Sequence, residues 1–148
     1  MISQQSAHLV IDARPDQVRA VLLDPLALPT WNPAFLGLTG SPEVAVGETY
    51  RITVPMGLSG TFTYTGIEAD RIDTRWSVPG FTELGSWHVR PYGARTEVVH
   101  NFGHRGALAA ILVPAYRNIA ELRLDRLRAQ VAASIGSSSA RMKTAATE

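Results

Sequence analysis

His100 and His104 flank Phe102 at a spacing of two, which sets all three side chains on one face of an extended strand. Imidazole titrates near neutral pH, so such a pair suits acid–base work. His104, beside Gly103 and close to Gly106, reads as a solvated rim histidine at the strand end. His100 is the better placed of the two, and its competing reading is a satisfied buried histidine. Glu83 shares the parity of Phe81, Gly85 and Trp87. Turned inward it is a carboxylate that is costly to desolvate, and hence a functional candidate; at an open strand end it is an ordinary surface acid. Sequence supports both placements equally. Tyr64 adds a phenol on an inward-facing strand position, so His100, Tyr64 and Glu83 are the acid–base candidates. Asn118 borders an apolar helical stripe, and Arg123 and Arg126 interrupt it. Asn118 or Arg123 could polarise a carbonyl, although arginine stems lying along a helix flank with their heads in water are the commoner arrangement. Arg117 and Glu121, four residues apart, serve only as surface helix support.

Other chemistries are excluded by what is missing. There is no cysteine, hence no disulfide, thiolate metal site or cysteine nucleophile. The histidine pair has no convincing third ligand, so no metal is expected and no cofactor is implied. Gly37, Gly40, Gly47, Gly57 and Gly60 are spaced as turn or bulge glycines and do not make a phosphate loop. The order of residues supports no Ser-His-Asp arrangement. With 14 basic and 13 acidic residues the chain lacks the one-sided field that nucleic acid requires. Its longest apolar run, 107–115, is about half a membrane span and contains Pro114, so stable membrane insertion is not expected. Residues 1–6 do not resemble a secretory leader, and the expectation is a soluble, cytoplasmic protein, monomeric or homodimeric.

The elements that must position these side chains follow from periodicity. The 148 residues are 45% hydrophobic and 18% charged, enough for one core and one domain over 1–136. A short strand over 7–13 precedes a helix over 15–23 opened by Pro15, then a second small helical turn before Pro29 and Pro33. Between about 48 and 105 the period is two, giving strands over 48–56, 58–66, 71–78, 81–89 and 95–104 with turns at Gly57, Pro79–Gly80 and 91–93. Such a succession pairs as an antiparallel meander with one covered face. From Ala107 the period returns to 3.6, with Leu108, Ile111, Leu112, Ala115, Ile119 and Leu122 on one stripe and Ala120, Leu124, Leu127 and Val131 on a rotated one. A kink at Pro114 accounts for the rotation. Gly136 is expected to end the helix, and 137–148 to form a disordered tail. The fold class is α+β: a curved antiparallel sheet wrapped around a long, kinked C-terminal helix, with two short helices after the first strand.

This order, with Ile11-Asp12-Ala13-Arg14-Pro15-Asp16-Gln17-Val18, Leu22-Leu23-Asp24-Pro25, Leu28-Pro29-Thr30-Trp31-Asn32-Pro33 and Gly93-Ala94-Arg95-Thr96-Glu97-Val98, resembles the START-like or Bet v 1-like superfamily in its polyketide cyclase/dehydrase-like branch. The resemblance covers the chain to about Gly136 and implies a helix-grip fold with a cavity between helix and sheet. Patterning leads to the same space, because its inward faces carry Tyr50, Phe62, Tyr64, Trp76, Phe81, Trp87 and Phe102. Rings wall a flat apolar ligand well, and they also fill an ordinary core. Trp31 at the cavity mouth, with Leu112, Ala115, Asn118, Ile119, Leu122 and Arg123 from the helix, completes the ligand-binding candidates. Gly60, Gly66 and Gly85, with Thr74 and Thr96, suggest open volume inside. Three functions follow as expectations: cofactor-free closure or dehydration of a polyketide, carriage or sensing of a lipid, quinone or isoprenoid, and a co-chaperone-like interaction module.

Overall fold

Alternation builds the sheet. In β3 (Thr49–Val54), β4 (Leu58–Ile67), β5 (Arg71–Val78), β6 (Phe81–Tyr92) and β7 (Arg95–Arg105), buried inward side chains alternate with half-buried or exposed neighbours over most of each strand. With β1 (Ser3–Ile11) and a short β2 (Gly37–Thr39), they form one antiparallel sheet in the order β1-β7-β6-β5-β4-β3-β2. The computed structural model describes residues 3–147. β1 starts earlier than the sequence suggests, because its polar residues Ser3 to Ser6 pair in register with His104 to Asn101. β2 is too short to show a period in the sequence.

Two tight turns fix the register that matters. Val78 faces Phe81 across the Pro79–Gly80 turn, so Trp76 stands directly opposite Glu83. Tyr92 faces Arg95 across the next turn, so Glu83 stands opposite His104 and Trp87 opposite His100. Gly80 makes its turn at φ 81°, a conformation that suits glycine.

α1 (Pro15–Leu22) opens on its proline and buries Val18, Val21 and Leu22. A 3₁₀ turn (Pro25–Ala27) leads to α2 (Leu28–Trp31), which buries Leu28 and Trp31. At the other end, α3 (Ala109–Leu112) gives way to a 3₁₀ turn (Val113–Tyr116) and then to α4 (Ile119–Thr147). The kink is therefore a break. Pro114 lies in the 3₁₀ turn, and Asn118 restarts the chain at φ 63°. α4 packs across β1 and β7 and against α1 and α2, and buries Ala120, Arg123, Leu124, Leu127 and Val131.

Several expectations change here. The stripe proposed for 108–122 is not one continuous face, since the break turns Ile111 and Leu122 outward, 71% and 40% exposed. Gly136 does not end the helix, which continues through 137–147; Glu148 lies outside the described residues. Gly60 does not leave open volume, because a Cβ there would lie 1.8 Å from the carbonyl oxygen of Ser77. At Gly66 and Gly85 the space is taken by the side chains of Asp73 and Thr74. Among the described residues, no helix is long and apolar enough to cross a membrane.

Candidate functional site

Glu83 is the centre of a buried polar cluster. Its Oε1 accepts from His104 Nε2 at 2.7 Å and from Arg123 Nη2 at 2.9 Å, and its Oε2 accepts from Trp76 Nε1 at 2.9 Å and Arg123 Nη1 at 3.1 Å. The strand register brings Trp76, Glu83 and His104 together as cross-strand neighbours, and α4 lowers Arg123 onto them from the concave side. Glu83, His104 and Arg123 are each at most 3% exposed. Burial alone would push the carboxyl up, but the Arg123 charge and the His104 and Arg123 hydrogen bonds outweigh it and bring Glu83 down to about 2. Glu83 is thus an ionised acceptor with all four lone-pair directions engaged. The Arg123 guanidinium also lies 4.5 Å over the Phe102 ring, while its buried Nε has no hydrogen-bond partner among the described residues.

His100 extends the cluster. Arg123 Nη1 lies 3.2 Å from His100 Nε2, and because arginine only donates, Nε2 must be an acceptor. The ring proton then sits on Nδ1, which donates to the Ser86 carbonyl at 3.0 Å. Burial and the Arg123 charge lower the imidazole to about 3, outweighing Glu83 and the Ser86 carbonyl, which favour protonation. Trp87 stacks on the ring at 3.5 Å and 11°. At neutral pH, His100 is a neutral imidazole with a fixed tautomer. Tyr64 is held in a similar way: its hydroxyl donates to the Leu22 carbonyl at 2.7 Å, and burial pushes the phenol up.

Space divides unevenly around this cluster. Inside, between Tyr64, Trp87, His100 and Arg123, a cavity of about 20 Å³ remains, room for about one water. On the far side of Trp76 lies an apolar groove of about 220 Å³. The 33–34 loop, the turn after β3 and the 112–119 segment form its sides, and Trp76, Val78 and Phe81 form its floor. Trp76 borders both spaces, with its N–H turned to Glu83.

A family model described as polyketide cyclase/dehydrase and lipid transport matches residues 4–132. The chain belongs to this family. Solved structures of similar fold include a protein from Chromobacterium violaceum, with TM-score 0.68 and 21% identity over 88% of this chain and 98% of that one. A conserved protein from Geobacillus kaustophilus gives TM-score 0.71 at 14% identity over 89% and 97% of the two chains. One from Thermus thermophilus gives 0.68 at 17% over 89% and 99%. At these identities the likeness is one of fold. No curated protein sequence matches the chain.

Within the polyketide cyclase/dehydrase and lipid transport fold, the candidate side chains separate into groups. Tyr64, Phe62, Trp76, Glu83, Trp87, His100 and Arg123 surround the small inner cavity. Trp76, Phe81, Leu112, Ala115 and Ile119 line the groove. Tyr50 is fully buried and bonds the Glu43 carbonyl, and Phe102 lies under Arg123. Trp31 packs edge-on against Trp87 at 5.7 Å, with its N–H lacking a hydrogen-bond partner among the described residues. Asn118 is exposed at the helix break, and Leu122 points outward. Two expectations are corrected. His104 is not a solvated rim residue, because Glu83 holds it inside at the strand pair. Arg123 does not lie along a helix flank with its head in water; it turns inward with the buried face of α4, where its spacing from Ala120 and Leu127 already placed it. Arg126 is exposed, as an arginine on the flank should be. Sequence missed Tyr116, whose ring stacks on Phe81 at 5.3 Å and 21°, since an irregular turn carries no periodic signal.

Proposed function

We propose that this protein binds a small apolar molecule in the groove beside Trp76 and Phe81 and carries or senses it without transforming it. The observation behind this reading is that the interior acid–base candidates are already engaged with protein groups. Glu83 is ionised and saturated, His100 is neutral with both ring nitrogens bonded, and the Tyr64 hydroxyl is tied to Leu22. A cyclase needs a group poised to exchange a proton with its substrate near the working pH. His100, Tyr64 and Glu83 are each held away from that condition, and the inner cavity they border takes about one water rather than a polyketone. The groove is larger, walled mainly by hydrocarbon, and bordered by the exposed Met56, which suits uptake and release of an apolar ligand. Membership in a family that includes lipid transport is in keeping with this reading.

A second reading, an interaction module, is favoured by the closed interior. Native mass spectrometry of the purified protein, with analysis of its organic extract, separates the two. Carriage predicts a stoichiometric apolar molecule that is lost in Ala115→Trp, which fills the groove, and kept in His100→Phe. A clean apo mass that does not shift with fatty acids, quinones or aromatic ketones would remove the carrier reading. Turnover of an aromatic polyketone that His100→Phe abolishes would restore the catalytic one.

A further inference from the structure

The groove has one hydrogen-bonding handle. Of the described side chains that line it, only Trp76 and Tyr116 carry an N–H or O–H group, and the indole N–H is already given to Glu83. The Tyr116 hydroxyl makes no hydrogen bond within the described residues. The ring is nevertheless fixed from several sides. It stacks on Phe81, meets the His104 ring edge-on at 4.7 Å, and its backbone carbonyl accepts from the Gln5 side-chain amide, which ties the turn to β1. A phenol this well held costs little further entropy when it binds a ligand. Burial first, and the Glu83 charge second, push its ionisation up against the opposing Arg123 charge, so it remains a donor at neutral pH.

Volume limits the rest of the ligand. An apolar cavity of about 150 Å³ accommodates benzene. The groove, at about 220 Å³, is half as large again, and the aromatic residues Trp76, Phe81 and Tyr116 contribute to its wall. Two fused rings with one oxygen match that size, whereas three or four rings would extend into solvent. We infer that Tyr116 determines the specificity of the groove, donating its hydroxyl to a single oxygen acceptor on a flat, apolar ligand of about two fused rings. This inference rests on the groove being the ligand site.

The test compares 1-tetralone, a two-ring ketone, with tetralin, the hydrocarbon lacking its oxygen, by calorimetric titration of wild-type protein and Tyr116→Phe. The substitution keeps the ring stack and removes only the donor. Ketone affinity is expected to fall roughly three- to tenfold, the worth of one hydrogen bond, with tetralin affinity unchanged within about twofold. Unchanged ketone affinity, or an equal fall for both ligands, overturns the assignment of Tyr116 while leaving the groove as a binding site. Failure of the wild type to bind either ligand removes the carrier reading and this inference with it. Ala115→Trp should abolish both titrations, and their survival would move the site elsewhere.

Discussion

Glu83→Gln is nearly isosteric, yet it removes the one negative charge bonded to Arg123 among the described residues and sets a two-donor amide among donors from Arg123, His104 and Trp76. The arginine head is 1% exposed and cannot reach water without moving α4. Breaking such a pair from one side costs roughly 3–5 kcal/mol, because an uncompensated charge stays in the interior. Against a total of about 5–15 kcal/mol this is a large fraction, and for a chain of this length it corresponds to a fall in Tm of roughly 6–20 °C. The same pair removed from both sides behaves differently. In Glu83→Gln with Arg123→Met neither member of the ion pair remains, and the amide oxygen can still accept from Trp76 or His104. The double variant should therefore lose less than the sum of the single losses, by about 2–3 kcal/mol. Urea denaturation followed by tryptophan fluorescence, with the four proteins at pH 7.5, measures the whole cycle. A Glu83→Gln protein within about 1 kcal/mol of wild type, or single losses that simply add, would refute a tightly coupled buried pair.

Acid should weaken the fold from the same cluster. His100 binds its proton near 6.5 when unfolded and at about 3 when folded, so the unfolded state holds more protons in that window. Its contribution is complete above about 6.5 and lost as pH falls toward 3; Glu83, lowered from 4.5 to about 2, adds a further loss below about 4.5. Urea midpoints should decline from pH 7 to 4, and a His100→Phe protein that declines just as steeply between 6.5 and 4.5 would contradict this. Tyr64→Phe removes one buried hydrogen bond to Leu22 and should cost about 1 kcal/mol, with ligand occupancy by native mass spectrometry unchanged; loss of the ligand would return Tyr64 to the binding machinery. Gly60→Ala drives a methyl into the Ser77 carbonyl and should destabilise by more than about 2 kcal/mol in the same denaturation assay, since neither strand backbone can yield cheaply; a near-neutral result would mean that β4 and β5 are less closely apposed there.

The strands were legible because each carries its own period, and the cluster was partly legible for the same reason. Once Pro79–Gly80 is taken as a two-residue turn, counting back from Val78 and forward from Phe81 puts Trp76 opposite Glu83. The next turn likewise puts Glu83 opposite His104. Treating histidines and carboxylate residue by residue, without that register, left Glu83 undecided and His104 at the rim. The charge of Arg123 suggests a solvated flank, whereas its spacing puts it on the buried face of Ala120, Leu124 and Leu127. The break at Asn118 had no comparable signal. Pro114 marks a disturbance, but whether the chain bends or restarts depends on how the 112–119 segment packs over Phe81, a tertiary matter. Tyr116 was invisible for that reason.

Trp76 ties these features into one design. Its indole N–H completes the bonding of Glu83, and its ring lines the groove, so one side chain separates a charged interior from an apolar groove. A ligand in the groove meets hydrocarbon and one phenol, and never the ion pair behind the wall. The cluster orients that wall, because a carboxylate held by four donors fixes the indole more firmly than packing alone. Loss of Glu83 should therefore act on binding as well as on stability. In Glu83→Gln the indole loses its charged acceptor, and tetralin affinity should weaken even where the protein is still fully folded. An unchanged titration at a temperature well below the variant's Tm would show that packing against Phe35 and Phe81 suffices to hold the ring.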